Sequence, residues 1–182
     1  MNESFLQATL ASLAQGRLLC EKALSQIDND TDFFYTPGPR SQSIAATVKH
    51  VGGNLISRWT DFLTSDGEKD NRDRDNEFVI LPGEDRASIM HLWARGWSCF
   101  QDTLKNLSDE DIQRTVYIRS EPHSVPLAIQ RSVSHTSYHV GQIVYLCRFV
   151  KKGDWQWLTI PPGGTAEFNA KKMGDKKTEP DK

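Results

Sequence analysis

Four stretches of this chain place apolar residues at alternating steps of three and four, and that rhythm limits what the chain can fold into more than any other feature. An α-helix turns about 100° per residue, so this spacing gathers the apolar side chains into one stripe. Burying such a stripe stabilises by about 1.5–3 kcal/mol per large side chain, so the stripes must find one another. In the first stretch the stripe is Leu6, Leu10, Leu13, Cys20, Leu24 and Ile27, interrupted by Arg17, with Ser4 placed as a cap. The second follows the loop FFYTPGPRSQ, with Ser41 or Ser43 as cap, and runs through Ile44, Val48, Val51, Leu55, Trp59 and Phe62 until SDG stops it. The third begins near Asp85 and carries Ile89, Trp93, Phe100, Leu104 and Leu107. The fourth runs from about Pro126, a favourable first-turn residue, to Lys152, where Gly153 closes it.

No stretch alternates with period two for long enough to build a sheet, although TVYIRS (115–120) suits a short extended piece. The expected class is therefore all-α, and four long amphipathic helices most simply make a four-helix bundle, whose binding sites are built from inward side chains on facing helices. Residues 1–160 are expected to form this one domain, with Trp155, Trp157 and Ile160 packed on it. Residues 161–182 form an extension, whose end KKMGDKKTEPDK reads as solvated and without order. The second and third helices are joined by SDGEKDNRDRDNEFVILPGE, longer than the roughly 15 residues above which a loop is usually functional or mobile.

Composition excludes several functions. The 22 basic and 24 acidic residues leave a net charge of -2, with no basic concentration before the C-terminal end, so nucleic acid is not an expected partner. The chain starts without the basic and apolar regions of a signal peptide, and no apolar run approaches the roughly 18 residues of a membrane span. A cytoplasmic protein with no membrane partner is expected. Cys20, Cys99 and Cys147 are odd in number, far apart and set in helical patterns, which suits buried reduced thiols.

The fourth stretch carries chemistry in SVSHTSYHVGQIVYL, where His135 and His139 stand four residues apart on one helical face. Two imidazoles in that arrangement are half of a chelate, suited to zinc, nickel, copper or iron. Thr136, Ser137 and Tyr138 fill the interval, so the glutamate of a zinc-protease helix is absent. A third ligand is best sought on another long helix, and His50 sits beside Val51 of the second stripe, with Thr47, Asn54 and Asp61 on the same side. Gly52 and Gly53 follow at once; each costs a helix interior about 1 kcal/mol relative to alanine, which suits a position where a neighbouring helix or ligand approaches closely. Gly141 is read in the same way. Three histidines from two helices would leave a metal an open position, as catalytic sites do. His123 is a weaker candidate ligand and His91 falls on the polar face.

His50, the pair His135 and His139, and the run YHVGQI together resemble the DinB-like (YfiT-like) superfamily of metalloenzymes, over roughly residues 4–155. Within it, GNLISRWTDFLTSDGEKDNRDRDNEF (53–78) and the later IPPGGTAEFN look like marks of one uncharacterised branch. The resemblance implies a bundle of up-down-down-up topology, a divalent metal, nickel or zinc, on His50, His135 and His139, and a homodimer. Better-known relatives use low-molecular-weight thiols such as bacillithiol or mycothiol, so a thiol cofactor and S-transfer to a small-molecule substrate are implied for the leading function. Metal-assisted hydrolysis without a thiol, and a non-catalytic metal-binding or stress-response bundle, are the alternatives. Asn54, one turn beyond His50, and Tyr138, beside His139, are candidates to orient ligands or touch substrate. The charged loop does not match a calcium loop; it reads either as solvated surface or, through Arg58, Arg72 and Arg74, as a holder of an anionic substrate or cofactor.

Overall fold

The computed structural model describes residues 4–176. It is mostly helical, with one two-stranded sheet. Helix α1 (Phe5–Leu24) starts at a capping box made by Ser4 and Gln7, and a short α2 (Asp30–Phe34) follows, capped by Asn29. Helix α3 (Ile44–Trp59) is capped by Ser43, α4 (Arg86–Asn106) by a box of Asp85 and Ser88, and one turn, α5 (Asp109–Ile112), by Ser108. Strands β1 (Thr115–Ile118) and β2 (Glu121–Ser124) form an antiparallel hairpin that leads into α6 (Val125–Lys151), and α7 (Thr165–Lys176) comes last.

The four stripes bury one another. Helix α3 packs against α4 and α6, and α1 against α6 and α4, around a core that includes Trp59, Trp93, Trp97, Phe100, Leu55, Ile129 and Ile143. Helix α3 is the central element: every residue from Ile44 to Gly52 is buried, including the polar Thr47, Lys49 and His50. Its polar face escapes water because the long charged loop folds back over it. A single 3-10 turn (Asp75–Phe78) lies on α3, and Lys49 reaches out to the carbonyl of Val79 and the carboxylate of Glu84, each at 2.7 Å. The loop is thus a wall of the molecule, and its length is what the return path over α3 requires.

The α3–α4 crossing depends on glycine. A Cβ on Gly96 would stand 2.6 Å from the carbonyl oxygen of Gly52, and one on Gly52 would stand 2.9 Å from the Leu92 carbonyl group, so the two backbones touch where neither residue has a side chain. That accounts for Gly52. Gly141 does not share this role, since a Cβ there would meet nothing within 4 Å.

Other expectations need correction. Helix α3 ends at Trp59, short of Phe62: Thr60 turns extended, and the carbonyl of Asp61, a residue at φ 49°, accepts the amides of Thr64 and Ser65. Phe62 still reaches the core, but Asp61 is exposed and off the side of α3 that carries His50. The extended piece at 115–118 has a partner, β2, through a two-residue turn at Arg119 and Ser120, both with positive φ. The Asp66 carboxylate accepts both turn amides, at 2.8 and 2.7 Å, and so offsets a backbone geometry that non-glycine residues resist. Trp155 and Leu158 pack on the core, whereas Trp157 stays exposed under the Arg148 guanidinium, 4.4 Å from its ring. Residues 171–176 of the segment expected to lack order continue α7, and 177–182 lie outside the described residues.

Replacing Gly96 by alanine forces the two helices apart and should lower the denaturation midpoint, a loss of about 1–3 kcal/mol despite alanine's better helix propensity. Gly16 lies inside α1, and a Cβ there would meet nothing within 4 Å, so Gly16→Ala should raise stability by about 0.5–1 kcal/mol. Equal midpoints for the two variants would contradict this account of the crossing.

Candidate metal centre

His50 is carried to the interior by α3, and His135 and His139 face it from α6, one turn apart. One ring nitrogen from each of the three lies within 4.8 Å of the others. The Nε2 atoms of His50 and His135 are 3.3 Å apart. Two nitrogens bound tetrahedrally to one ion at about 2.0–2.1 Å would stand about 3.3 Å apart, so this pair already has the edge length of a metal site.

The hydrogen bonds around the triad set the tautomers. His50 Nδ1 donates to Glu77 Oε2 at 2.8 Å, and His139 Nδ1 donates to Gln142 Oε1 at 2.8 Å. Both bonds leave Nε2 with a free lone pair, which is what a ligand needs. Glu77 is itself held by a two-pronged contact from Arg72, whose Nε and Nη2 each lie 2.8 Å from a carboxylate oxygen. Burial alone would raise the Glu77 carboxyl, but the bonds from Arg72 and His50 hold it below its ordinary range. On the other side Tyr138 accepts from Gln142 Nε2 at 2.9 Å. Phe78 stacks on the His50 ring with centroids 4.2 Å apart. Each imidazole with an outer partner therefore has its rotation restricted.

Burial, then the neighbouring His139 and His50, pushes the His135 pKa down to about 3, and burial beside His50 lowers His139 as well. Protons do not compete for these two nitrogens near neutrality, which suits a site for a cation. The cysteines offer no alternative donor. Burial pushes the Cys147 thiol up to about 12 and raises Cys20 further, and Cys99 lies by Thr60 at the far end of α3.

His50 and His135 also border a cavity of about 190 Å³, closed by Asn54, Arg58, Trp59, Phe62 and the hairpin residues Tyr117 to Arg119. Of the other residues singled out in the sequence, Asn54, Arg58, Arg72 and Arg74 line this cavity. Tyr138 does not: it is exposed on the outer side, in a groove with Thr47, His139 and Gln142, and its contact is with the residue that orients His139. His123 is occupied, with Nδ1 donating to the carbonyl of Glu121 and Nε2 accepting from Arg131, and His91 is exposed.

Glu77 and Gln142 are not read from the sequence as contributors, and Gly53 is read without its partner. Glu77 lies 27 residues from its partner in a loop whose acids all look alike. Gln142 had a local signal, since a residue three beyond His139 shares its face. Gly53 had the signal but its reason was hidden: a Cβ there would stand 2.7 Å from Glu77 Oε1, so the missing side chain makes room for a carboxylate.

A family model described as a protein of unknown function, DUF1572, matches residues 1–164 of the chain. Among curated proteins none matches it.

Two outcomes test this geometry. Glu77→Gln and Gly53→Ala should each weaken zinc binding about 10–100-fold with the three histidines intact, measured by competition with a chromophoric chelator; affinity equal to the parent in both would contradict the role given to Glu77. Separately, the unfolded chain protonates its histidines near 6.5 while folded His135 resists until about 3, so the unfolded state binds more protons across that window. Metal-free protein should therefore lose stability as pH falls from about 6.5 toward 3, and His135→Ala should flatten that slope in urea denaturation.

Proposed function

The chain belongs to the DUF1572 family, and from that premise together with the histidine cluster we propose that it is a divalent-metal-dependent enzyme of DinB-like type. Nickel or zinc is the expected ion, and the expected reaction transfers a thiol to a small electrophilic substrate or, in the second reading, hydrolyses one. The observation that carries the proposal is the convergence of His50, His135 and His139 at the wall of a cavity. A non-catalytic site that merely joins helices would have no use for that adjoining space.

In this reading His50, His135 and His139 would hold the ion, His50 and His139 with Nδ1 already engaged by Glu77 and Gln142. When bound, a divalent cation with an open position supplies a Lewis acid that favours the thiolate of a thiol or the hydroxide of a water near neutral pH. Glu77 and Gln142 keep the two flanking imidazoles in the ligating tautomer, and Phe78 excludes water from the His50 ring. Asn54 and Arg58 line the space where a substrate would lie. Burial holds Cys20 and Cys147 protonated and no cysteine lines the cavity, so in this reading the nucleophile comes from solution as a small thiol or a water. The four long helices are read as a bundle of up-down-down-up topology spanning residues 1–160, and the protein as a cytoplasmic homodimer. No helix among the described residues is long and apolar enough to cross a membrane.

Purified protein should contain about one equivalent of metal per chain, and His135→Ala should lose it while keeping its helical circular dichroism. The loaded protein should then conjugate a small thiol to an electrophile such as monochlorobimane, with activity abolished by chelation and restored by the ion. Metal content unchanged by His135→Ala would overturn the centre. Full metal occupancy with neither conjugation nor ester hydrolysis would leave the binding module as the better reading.

A further inference from the structure

We infer that the cavity beside the histidine cluster binds a small organic oxyanion, a carboxylate or phosphoryl group on an apolar body, with Arg131 and Arg58 as its anchors. The inference rests on the metal-centre reading only for what the bound molecule would undergo; the binding itself stands on the cavity.

The charge balance is the first support. Five arginines, Arg58, Arg72, Arg74, Arg119 and Arg131, line the cavity and no carboxylate does. Their ion pairs reduce to two acids: Glu68 takes Arg58 at 3.0 Å, Arg72 at 3.1 Å and Arg119 at 3.4 Å, and Glu77 takes Arg72 at 2.8 Å. Asp66, the next acid, is committed to the amides of Glu68, Arg119 and Ser120. Five guanidiniums against Glu68, Glu77 and Asp66, the last bonded only to neutral amides, leave an excess of two positive charges around about 190 Å³.

The second support is unspent hydrogen-bonding capacity. Arg58 uses Nη2 on Glu68, but its Nη1 is buried with no partner, and a buried unpaired charged donor is costly unless something else fills the place. Arg131 bonds only to a neutral acceptor, His123 Nε2 at 3.1 Å, whose tautomer is set by the Nδ1 bond to the Glu121 carbonyl. It has no acid partner among the described residues. Guanidinium forks match carboxylate and phosphoryl oxygens in pairs. Gly67 leaves room for the Arg58 arm, since a Cβ there would stand 3.3 Å from both Cδ and Nη1.

The third support is the apolar part of the lining. Trp59, Phe62, Tyr117 and Ile118 line the same cavity, as do His50 and His135. A ligand with an anionic head and a flat apolar body makes use of both kinds of lining. An inorganic ion would leave the aromatic side unused.

The test uses benzoate, phenyl phosphate and the neutral isostere benzamide, titrated into metal-loaded and chelator-treated protein and followed by calorimetry and by the indole N–H resonance of Trp59. That N–H donates to Ser132 Oγ at 3.1 Å and reports on the cavity wall. At least one anion should bind saturably in both forms, shift the Trp59 resonance and exceed benzamide tenfold or more. Arg131→Gln, a change at an exposed residue, should lose about tenfold in affinity, or about 1.4 kcal/mol. Preference for benzoate assigns a carboxylate, and preference for phenyl phosphate a phosphoryl group. Benzamide binding as tightly as the anions, full affinity in Arg131→Gln, or an unmoved Trp59 resonance would each overturn the inference. Anion binding with this discrimination in a protein that takes up no metal would sink the metal-centre reading alone, and metal uptake through the histidines without it would sink this inference alone.

Discussion

The carboxylate of Glu77 lying across helix α3 is the interaction on which the rest of the site depends. It accepts a hydrogen bond from His50 Nδ1 and takes both prongs of Arg72, and it can do so only because Gly53 presents no side chain beneath it. One contact therefore sets the tautomer of an interior histidine, fastens a long charged loop and buries the polar face of the central helix. A carboxylate this enclosed is tolerable only when fully paired, and here every pairing also positions something else. Arg72 passes the constraint to Glu68, and Glu68 to Arg58 and Arg119, so the cavity wall is assembled from the same chain of charges.

Two architectural devices support that arrangement from outside. The glycine contact between α3 and α4 lets the two backbones meet, with Trp93 and Trp97 of α4 fully buried beside it in sequence. The Asp66 carboxylate fixes the hairpin turn, and a backbone bond from the Gly67 amide to the Tyr117 carbonyl, 2.8 Å, joins loop to strand. Without those ties the loop would be the solvated surface its composition suggests. With them it becomes a wall of the cavity and the outer support of His50.

Much of this was legible in the residues. The four long helices announced themselves because burial imposes a 3.6-residue period, and their caps, Ser4, Ser43 and Asp85, stand where a side-chain oxygen must meet free amides. The histidines could be matched across helices because two share a face and the third sits at the edge of a stripe. What could not be read depended on contacts distant in sequence. Nothing local distinguishes Glu77 from Asp70, Asp73 or Asp75, since its role comes from where the loop returns. The hairpin was half seen because Arg119 and Ser120 carry none of the glycine or asparagine signal of a tight turn, their geometry being held by an acid more than fifty residues earlier. Gly141 misled for the converse reason: a helical glycine signals close approach only where something does approach.

The central claim is that three imidazole nitrogens from α3 and α6 share one ion. X-ray absorption at the metal edge of zinc- or nickel-loaded protein measures that directly. The account predicts scattering from three imidazoles at about 2.0–2.1 Å, with the remaining coordination from light oxygen or nitrogen atoms. Two or fewer imidazoles, or a sulfur shell, would contradict it.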